Sequence, residues 1–282
     1  MGLLRFLIRG GICLKRVSRH LLLIIGAFIM IVPFLWMIST SLKSFGESMQ
    51  VPPTIIPKEW HFENYGNVFE AVDFLKYYLN TIILTLGRTI GQLILCSLAA
   101  FAFARLNFPG KNVLFILMLS VLMVPAQVIL IPNYATLTQL GWIDTFFALI
   151  VPGIFSAYGT FLLRQFFMGI PKELDEAAKI DGCSYFGIYW RIILPNSTPA
   201  LTALGIFTIL AAWNDFLWPL VMTNSESMRV LSVGISTFSG QYSTDYPLLM
   251  AGAVLSTIPM LLMFIFLQKH LLAGIALGGV RR

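Results

Sequence analysis

Two ionisable side chains, Arg88 and Asp215, fall inside long apolar runs of this sequence. Charge is costly there and is seldom without a task. A carboxylate at the centre of a membrane helix costs about 2.5–3.5 kcal/mol on insertion scales, so Asp215 must face protein or water rather than lipid. Asn214 adds an amide donor and acceptor, and Trp213 and Trp218 flank the two polar residues. A sugar site needs such parts: polar groups for hydroxyls and aromatic faces for the C–H side of a ring. The same residues also fit a structural role, with Asp215 and Asn214 hydrogen-bonding across helices and the tryptophans anchoring at the membrane interfaces. Arg88 could pair with Asp215 or reach along its own stem to an interface.

Covalent chemistry finds fewer parts. Cys13, Cys96 and Cys183 are far apart and form no C-x-x-C pair. His20, His61 and His270 flank apolar runs rather than lie inside them, and no H-E-x-x-H occurs. The sequence therefore offers no metal-ligand cluster and no nucleophile–base pair at membrane depth, and it reads as a protein that is not an enzyme.

The elements that must position these residues are membrane helices. Hydrophobic residues make up 57% of the 282 and charged residues 11%, against about 25% charged in soluble domains. A soluble fold could not cover so apolar a surface. Crossing the hydrocarbon core takes about 20 apolar residues. Six stretches qualify, at about 21–38, 79–104, 113–131, 142–163, 199–222 and 248–267. They are long and do not alternate, which favours helices over barrel strands. The first follows a basic segment, but it exceeds a signal-peptide core and no small-x-small cleavage site follows, so it is expected to be retained. Residues 1–20, with Arg5, Arg9, Lys15, Arg16 and Arg19 among leucines and isoleucines, form a cytoplasmic amphipathic segment lying along the membrane surface.

Lys and Arg set the orientation. With the N-terminus inside, the inner segments hold those five, then Arg105 and Lys111, then Arg164, Lys172, Lys179 and Arg191, then Lys269, Arg281 and Arg282. The outer segments hold only Lys43, Lys58, Lys76 and Arg229. The bias predicts both termini in the cytoplasm. It also accounts for the net charge of +6 without nucleic acid. Of the two long outer segments, 39–78 and 223–247, the first carries Pro52, Pro53 and Pro57 and predicts a short helix around 64–73.

The cytoplasmic loop 166–196 is the least apolar. Pro171 suits a first helical position, Glu173, Asp175 and Glu176 favour a helix N-terminus, and Gly182 suits the left-handed residue that ends a helix. A helix from Pro171 to Asp181 follows, with Leu174, Ala177, Ala178 and Asp181 on one face. A second, about 184–192, is expected to end at Pro195. Periodicity alone describes an amphipathic helix resting on the membrane.

The residue identities say more. Glu176-Ala177-Ala178, with Gly182, Ile192, Leu194 and Pro195 at fixed spacing, resembles the EAA loop of ABC importer permeases. Trp213-Asn214-Asp215-Phe216-Leu217-Trp218-Pro219-Leu220 resembles the W-N-x-F-x-W-P-L signature of carbohydrate permeases of the maltose-transporter type. The stretch from Phe103 through Arg105 and Pro109 to Lys111 is similar to their first cytoplasmic loop. Met250-Ala251-Gly252-Ala253 and the ending Gly274 to Val280 are similar to their last span and tail, with Ala276-Leu277 in place of a commoner Thr-Ala pair. The resemblance runs from about Ile25 onward and is to the six-span subunit.

That resemblance implies an all-α, polytopic type I ABC importer permease fold over 21–282, and import of a sugar into the cytoplasm. It implies docking on an ATPase through Leu174, Glu176, Ala177, Ala178, Asp181, Gly182, Leu194 and Pro195. It places Arg88, Trp213, Asn214, Asp215 and Trp218 as candidates for the substrate pathway. The chain has no G-x-x-x-x-G-K-[ST] loop, so ATP and Mg would bind a partner. The implied partners are a second homologous permease, two copies of the cytoplasmic ATPase, an extracytoplasmic sugar-binding protein and membrane lipid. The EAA loop fits a permease for a non-sugar solute equally. An ion-coupled secondary transporter should show inverted repeats and ionisable relay pairs, and only Arg88 and Asp215 are available.

Overall fold

The computed structural model describes residues 2–240 and 244–279, with side chains for residues 19–240, 244–266 and 268. The side chains behind the amphipathic reading of 1–20, Arg19 and His20 apart, and those of the tail 274–280, lie outside the described residues. The architecture is all helical; among the described residues the one β-bridge joins Ser239 and Thr244.

The helices used below are α1 Gly2–Ser41, α2 Asn64–Ala71, α3 Phe74–Arg105, α4 Lys111–Ser120, α5 Leu130–Gln139, α6 Ala157–Met168, α7 Glu173–Ile180, α8 Thr198–Trp213, α9 Leu217–Met222 and α10 Tyr246–Gly279. The chain forms two compact units, Met1–Val72 with Thr237–Leu255, and Asp73–Ser236 with Ser256–Arg282.

In the first unit, the backbone of α1 runs as one helix, without a break at the expected boundary near residue 20. Its apolar side chains point outward: Leu22 is 73% exposed and Met30 76%. Lipid can solvate that surface and water cannot. The proline-bearing segment after it is fastened by polar groups. Glu47 accepts from the Thr54 hydroxyl at 2.7 Å and the Lys58 N–H at 3.0 Å, and the Asn64 amide donates to the Ser41 and Lys43 carbonyls, both at 2.9 Å. Helix α2 falls where the sequence predicts a short helix.

In the second unit, α3 packs along α6 and α8. One core gathers Cys96, Ala100 and Phe101 with Leu163, Phe167, Ile188, Tyr189 and Leu204. Another gathers Leu84, Leu137, Leu149, Met222 and Val233. The segment after α9 is pinned to α3: the Asn80 amide donates to the Ser227 and Arg229 carbonyls, and Thr81 Oγ1 accepts from the Leu231 N–H at 2.8 Å.

Four helical stretches among the described residues are long and apolar enough to cross a membrane: Arg19–Ser41, Phe74–Arg105, Phe146–Met168 and Tyr246–Phe266. They coincide with the first, second, fourth and sixth predicted spans. The third and fifth are not among them, and the fourth is itself interrupted at 154–156, between the turn Val151–Gly153 and α6. The third is a short apolar helix, Lys111–Met123, followed by irregular chain and α5. Pro125 offers no N–H to the carbonyl of Val121, which accepts from the Val124 N–H in a tighter turn instead. The fifth divides into α8 and α9 at Asn214–Phe216. Pro219 cannot donate to the Asp215 carbonyl, and the Ser232 hydroxyl takes that acceptor at 2.7 Å. The stretch Tyr185–Asn196 meets α8 at a bend of 78°.

The loop before α8 also differs from expectation. Helical turns do not stop at Pro195 but continue to Asn196. A π-turn at Tyr189–Ile193 resets the register, and Pro195 then occupies a first-turn position where its missing N–H costs no bond.

Candidate functional site

A cavity of about 370 Å³ is lined by Arg88, Gln127, Asn133, Gly153, Asp215 and Trp218, with Ala126, Ile129, Leu130, Pro152 and Leu217 between them. Arg88 is delivered from the middle of α3. Its Nε donates to the Leu149 carbonyl at 2.8 Å and its Nη1 to Asp215 Oδ2 at 2.7 Å. The two side chains are 11% and 22% exposed, so each charge answers the other in place of water. Asp215 sits at the break between α8 and α9, and its Oδ1 accepts from the Trp218 N–H at 3.4 Å. The indole N–H of Trp218 donates to the Ala148 carbonyl at 3.0 Å, which fixes the ring. Gly153 is required by Arg88: a Cβ there would lie 2.6 Å from Arg88 Nε.

Trp213 and Asn214 do not line this cavity. Trp213 is 8% exposed, donates from Nε1 to the Ser256 carbonyl at 3.1 Å and meets the Tyr78 ring edge-on. The Asn214 amide donates to the Leu210 carbonyl at 2.8 Å and so closes the end of α8. The five residues set out together in sequence thus divide into three at the cavity and two that hold helices. Gln127, Asn133 and Gly153 were not legible as cavity residues. They are polar or small residues near prolines; the broken third span brings Gln127 and Asn133 opposite Arg88, and the turn Val151–Gly153 of the fourth brings Gly153.

The second feature is α7. Glu173, Asp175 and Glu176 fall in its first turn and Lys179 in its last, matching the helix dipole at both ends. It ends in a paired cap: the Cys183 N–H reaches the Ala178 carbonyl at 2.9 Å and the Gly182 N–H the Lys179 carbonyl at 3.0 Å. Gly182 has φ +82°, the left-handed conformation that the sequence predicts there.

The faces of α7 correct one expectation. Ala178 does not face outward with Ala177. It is 7% exposed and belongs to the protein's own core with Phe167 and Ile188. One residue of helix is 100° of rotation, so adjacent alanines cannot both face a partner squarely. The outward face carries Leu174 at 43% exposure and Ile180 at 87%, with Ala177 exposed between them. Glu176, Asp181 and Gly182 are also exposed; Leu194 is half-buried and Pro195 exposed.

Sequence reasoning missed Arg105 and Asp175. Arg105 Nε lies 3.2 Å from Asp175 Oδ2, with side chains 3% and 12% exposed, and Arg105 Nη2 donates to the Ile170 carbonyl at 2.7 Å. Burial pushes the Asp175 carboxyl above its ordinary range, against the pull of Arg105. The readable signal was an acid on the inward side of an otherwise outward-charged helix, spaced with Ala178. Nearby, the Ser97 and Tyr189 hydroxyls pair at 2.8 Å in buried surroundings. Helix α3 therefore holds Arg88 at the cavity and Arg105 at α7, 17 residues or roughly 25 Å apart along one rigid rod.

Comparison with known proteins gives a consistent result. Residues 92–276 match the family described as binding-protein-dependent transport system inner membrane component. The chain is 35% identical over 258 residues to the arabinooligosaccharides transport system permease protein AraQ of Halalkalibacterium halodurans, covering 90% of this chain and 92% of that one. It is 32% identical to the sn-glycerol-3-phosphate transport system permease protein UgpE of Yersinia enterocolitica, covering 91% and 94%. Among solved structures, one chain of a bacterial ABC transporter involved in the import of the acidic polysaccharide alginate shares the fold, with a TM-score of 0.79, 24% identity and coverage of 90% and 95%.

Proposed function

We propose a function from one premise: this chain belongs to the binding-protein-dependent transport system inner membrane component family. It is the membrane-spanning permease subunit of an ABC importer that moves a sugar or oligosaccharide into the cytoplasm. The observation that carries this reading is end-to-end similarity to a permease named for arabinooligosaccharide transport. The carbohydrate-type stretch from Trp213 to Leu220 lies within it.

Six spans with both termini cytoplasmic put α7 on the inner side. A second permease completes the pathway. Two copies of a cytoplasmic ATPase bind ATP and Mg and receive the outward face of α7. An extracytoplasmic binding protein delivers the sugar to the outer segments. Closure of the ATPases pushes α7, and the Arg105–Asp175 pair carries that push into α3. The far end of α3 holds Arg88 at the cavity, where Asp215 and Trp218 form one wall of the sugar path.

A second reading is favoured by one observation: a comparably similar relative is named for sn-glycerol-3-phosphate transport. A strain lacking this chain, restored with it, separates the two. Restored uptake of labelled arabino-oligosaccharide or another neutral sugar supports the first. Restored uptake of glycerol 3-phosphate alone supports the second.

A further inference from the structure

A second and larger cavity, about 640 Å³, lies where α3 ends, α4 begins and α6 ends. That volume is in the range of small-molecule sites, about 300–1,000 Å³, and exceeds what one phosphate group fills. Four cations line it, Arg105, Lys111, Arg164 and Lys172, and no acid does. Among the described residues, Arg105 alone of the four has a carboxylate within ion-pair distance. Three of the four, Arg105, Lys111 and Arg164, are held at the cavity by contacts within the chain. Lys111 Nζ donates to the Leu106 carbonyl at 2.7 Å. Arg164 donates from Nε to the Phe103 carbonyl at 3.2 Å and lies 4.1 Å over the Phe115 ring. Arg105 has a side chain only 3% exposed, yet its Nη1 has no hydrogen-bond partner. Lys172 stands at the entrance to α7. Burial holds the Lys111 amine below its ordinary range, and the charges of Arg164 and Lys172 depress it further. Such mutual repulsion is relieved by an anion. The first residues of α4, Lys111 to Val113, line the same space with the positive end of a ten-residue helix.

We propose that this cavity binds the phosphate of an anionic phospholipid headgroup. The cavity lies at the helix ends that the Lys and Arg bias assigns to the cytoplasm, where the leaflet carries negative charge. Two of its lining residues are exposed and apolar, Val113 at 61% and Met168 at 52%, and they offer a surface for the first carbons of acyl chains. A free phosphate ion would use the cations and leave these two unused. The site rests on the chain's place in a membrane and not on what it transports, so it stands or falls apart from sugar import.

The test uses the full chain purified in mild detergent and native mass spectrometry with equal phosphatidylglycerol and phosphatidylcholine. The wild type should retain phosphatidylglycerol at least about tenfold over phosphatidylcholine. Lys111→Gln/Lys172→Gln should bring that preference close to one. Lys172→Gln alone, at an exposed position outside any core, should lower it several-fold. Lys76→Gln, which removes the same charge at the opposite end of α3, should leave it intact. Inorganic phosphate at millimolar concentration should neither displace the lipid nor raise the melting temperature. Equal retention of the two lipids, or a preference that survives the double substitution, overturns the proposal. So does stabilisation by inorganic phosphate without lipid preference, which would make the cavity a free-anion site. Loss of ATPase co-purification in the lysine variants with no change in lipid would reassign the cavity to a protein partner and overturns it equally.

Discussion

Arg88 and Asp215, 127 positions apart, meet at 2.7 Å between Nη1 and Oδ2 on the wall of a cavity inside the second unit. The pair satisfies both charges where neither could stand alone, and it ties the centre of α3 to the break between α8 and α9.

Removing one partner should therefore hurt more than removing both. Arg88→Gln and Asp215→Asn should each lower the melting temperature of the detergent-extracted protein and reduce uptake. The double variant should recover about 0.5–3 kcal/mol relative to the sum of the singles. Strict additivity in thermal unfolding would mean that the two charges do not interact.

Gly182 isolates backbone conformation from crowding. Its φ is +82°, and an added Cβ would meet nothing within 4 Å. Gly182→Val should cost on the order of 1–2 kcal/mol at the end of α7 and weaken ATPase co-purification. Gly182→Asn, which tolerates this conformation, should be close to wild type. Equal damage by both would point to a role for the missing side chain itself.

The faces of α7 predict opposite phenotypes for neighbouring alanines. Ala177→Arg, on the outward face, should leave expression and membrane insertion unchanged while uptake is lost. Ala178→Arg places a charge in the core with Phe167 and Ile188, and should lower the yield of folded protein. Normal yield for both, with transport lost in both, would return Ala178 to the outward face.

Orientation is tested by Cys183, which is half-buried beside α7, with Cys13 and Cys96 replaced by alanine. A membrane-impermeant maleimide should label it in inside-out vesicles and leave it unlabelled in intact cells. Labelling from outside would invert the proposed topology.

Much of this was legible beforehand. Composition and run length suffice for the spans that stay helical, because an uninterrupted apolar helix such as Phe74–Arg105 is specified residue by residue. The third and fifth spans were not legible in detail. Whether Pro125 or Pro219 kinks a helix or divides it depends on what else can take the freed carbonyl, and for Asp215 that is Ser232 in a later segment. The end of α7 was legible because the Gly182 cap is local. Its inner face was not, since Asp175 looks like any first-turn acid until Arg105 arrives from the end of α3. The signature around Trp213 joined Trp213, Asn214, Asp215 and Trp218 in one expectation. The structure divides them because the backbone turns at Asn214, sending Trp213 to Ser256 and Trp218 to the cavity.

The most direct measurement is sugar accumulation in proteoliposomes holding this chain with its co-purified subunits and the binding protein outside. With ATP and Mg enclosed, labelled sugar should accumulate against its gradient. It should stop when ATP is replaced by a non-hydrolysable analogue and when Ala177→Arg is substituted for the wild type. Accumulation driven by a proton or sodium gradient without ATP, or undiminished in Ala177→Arg, would contradict the account.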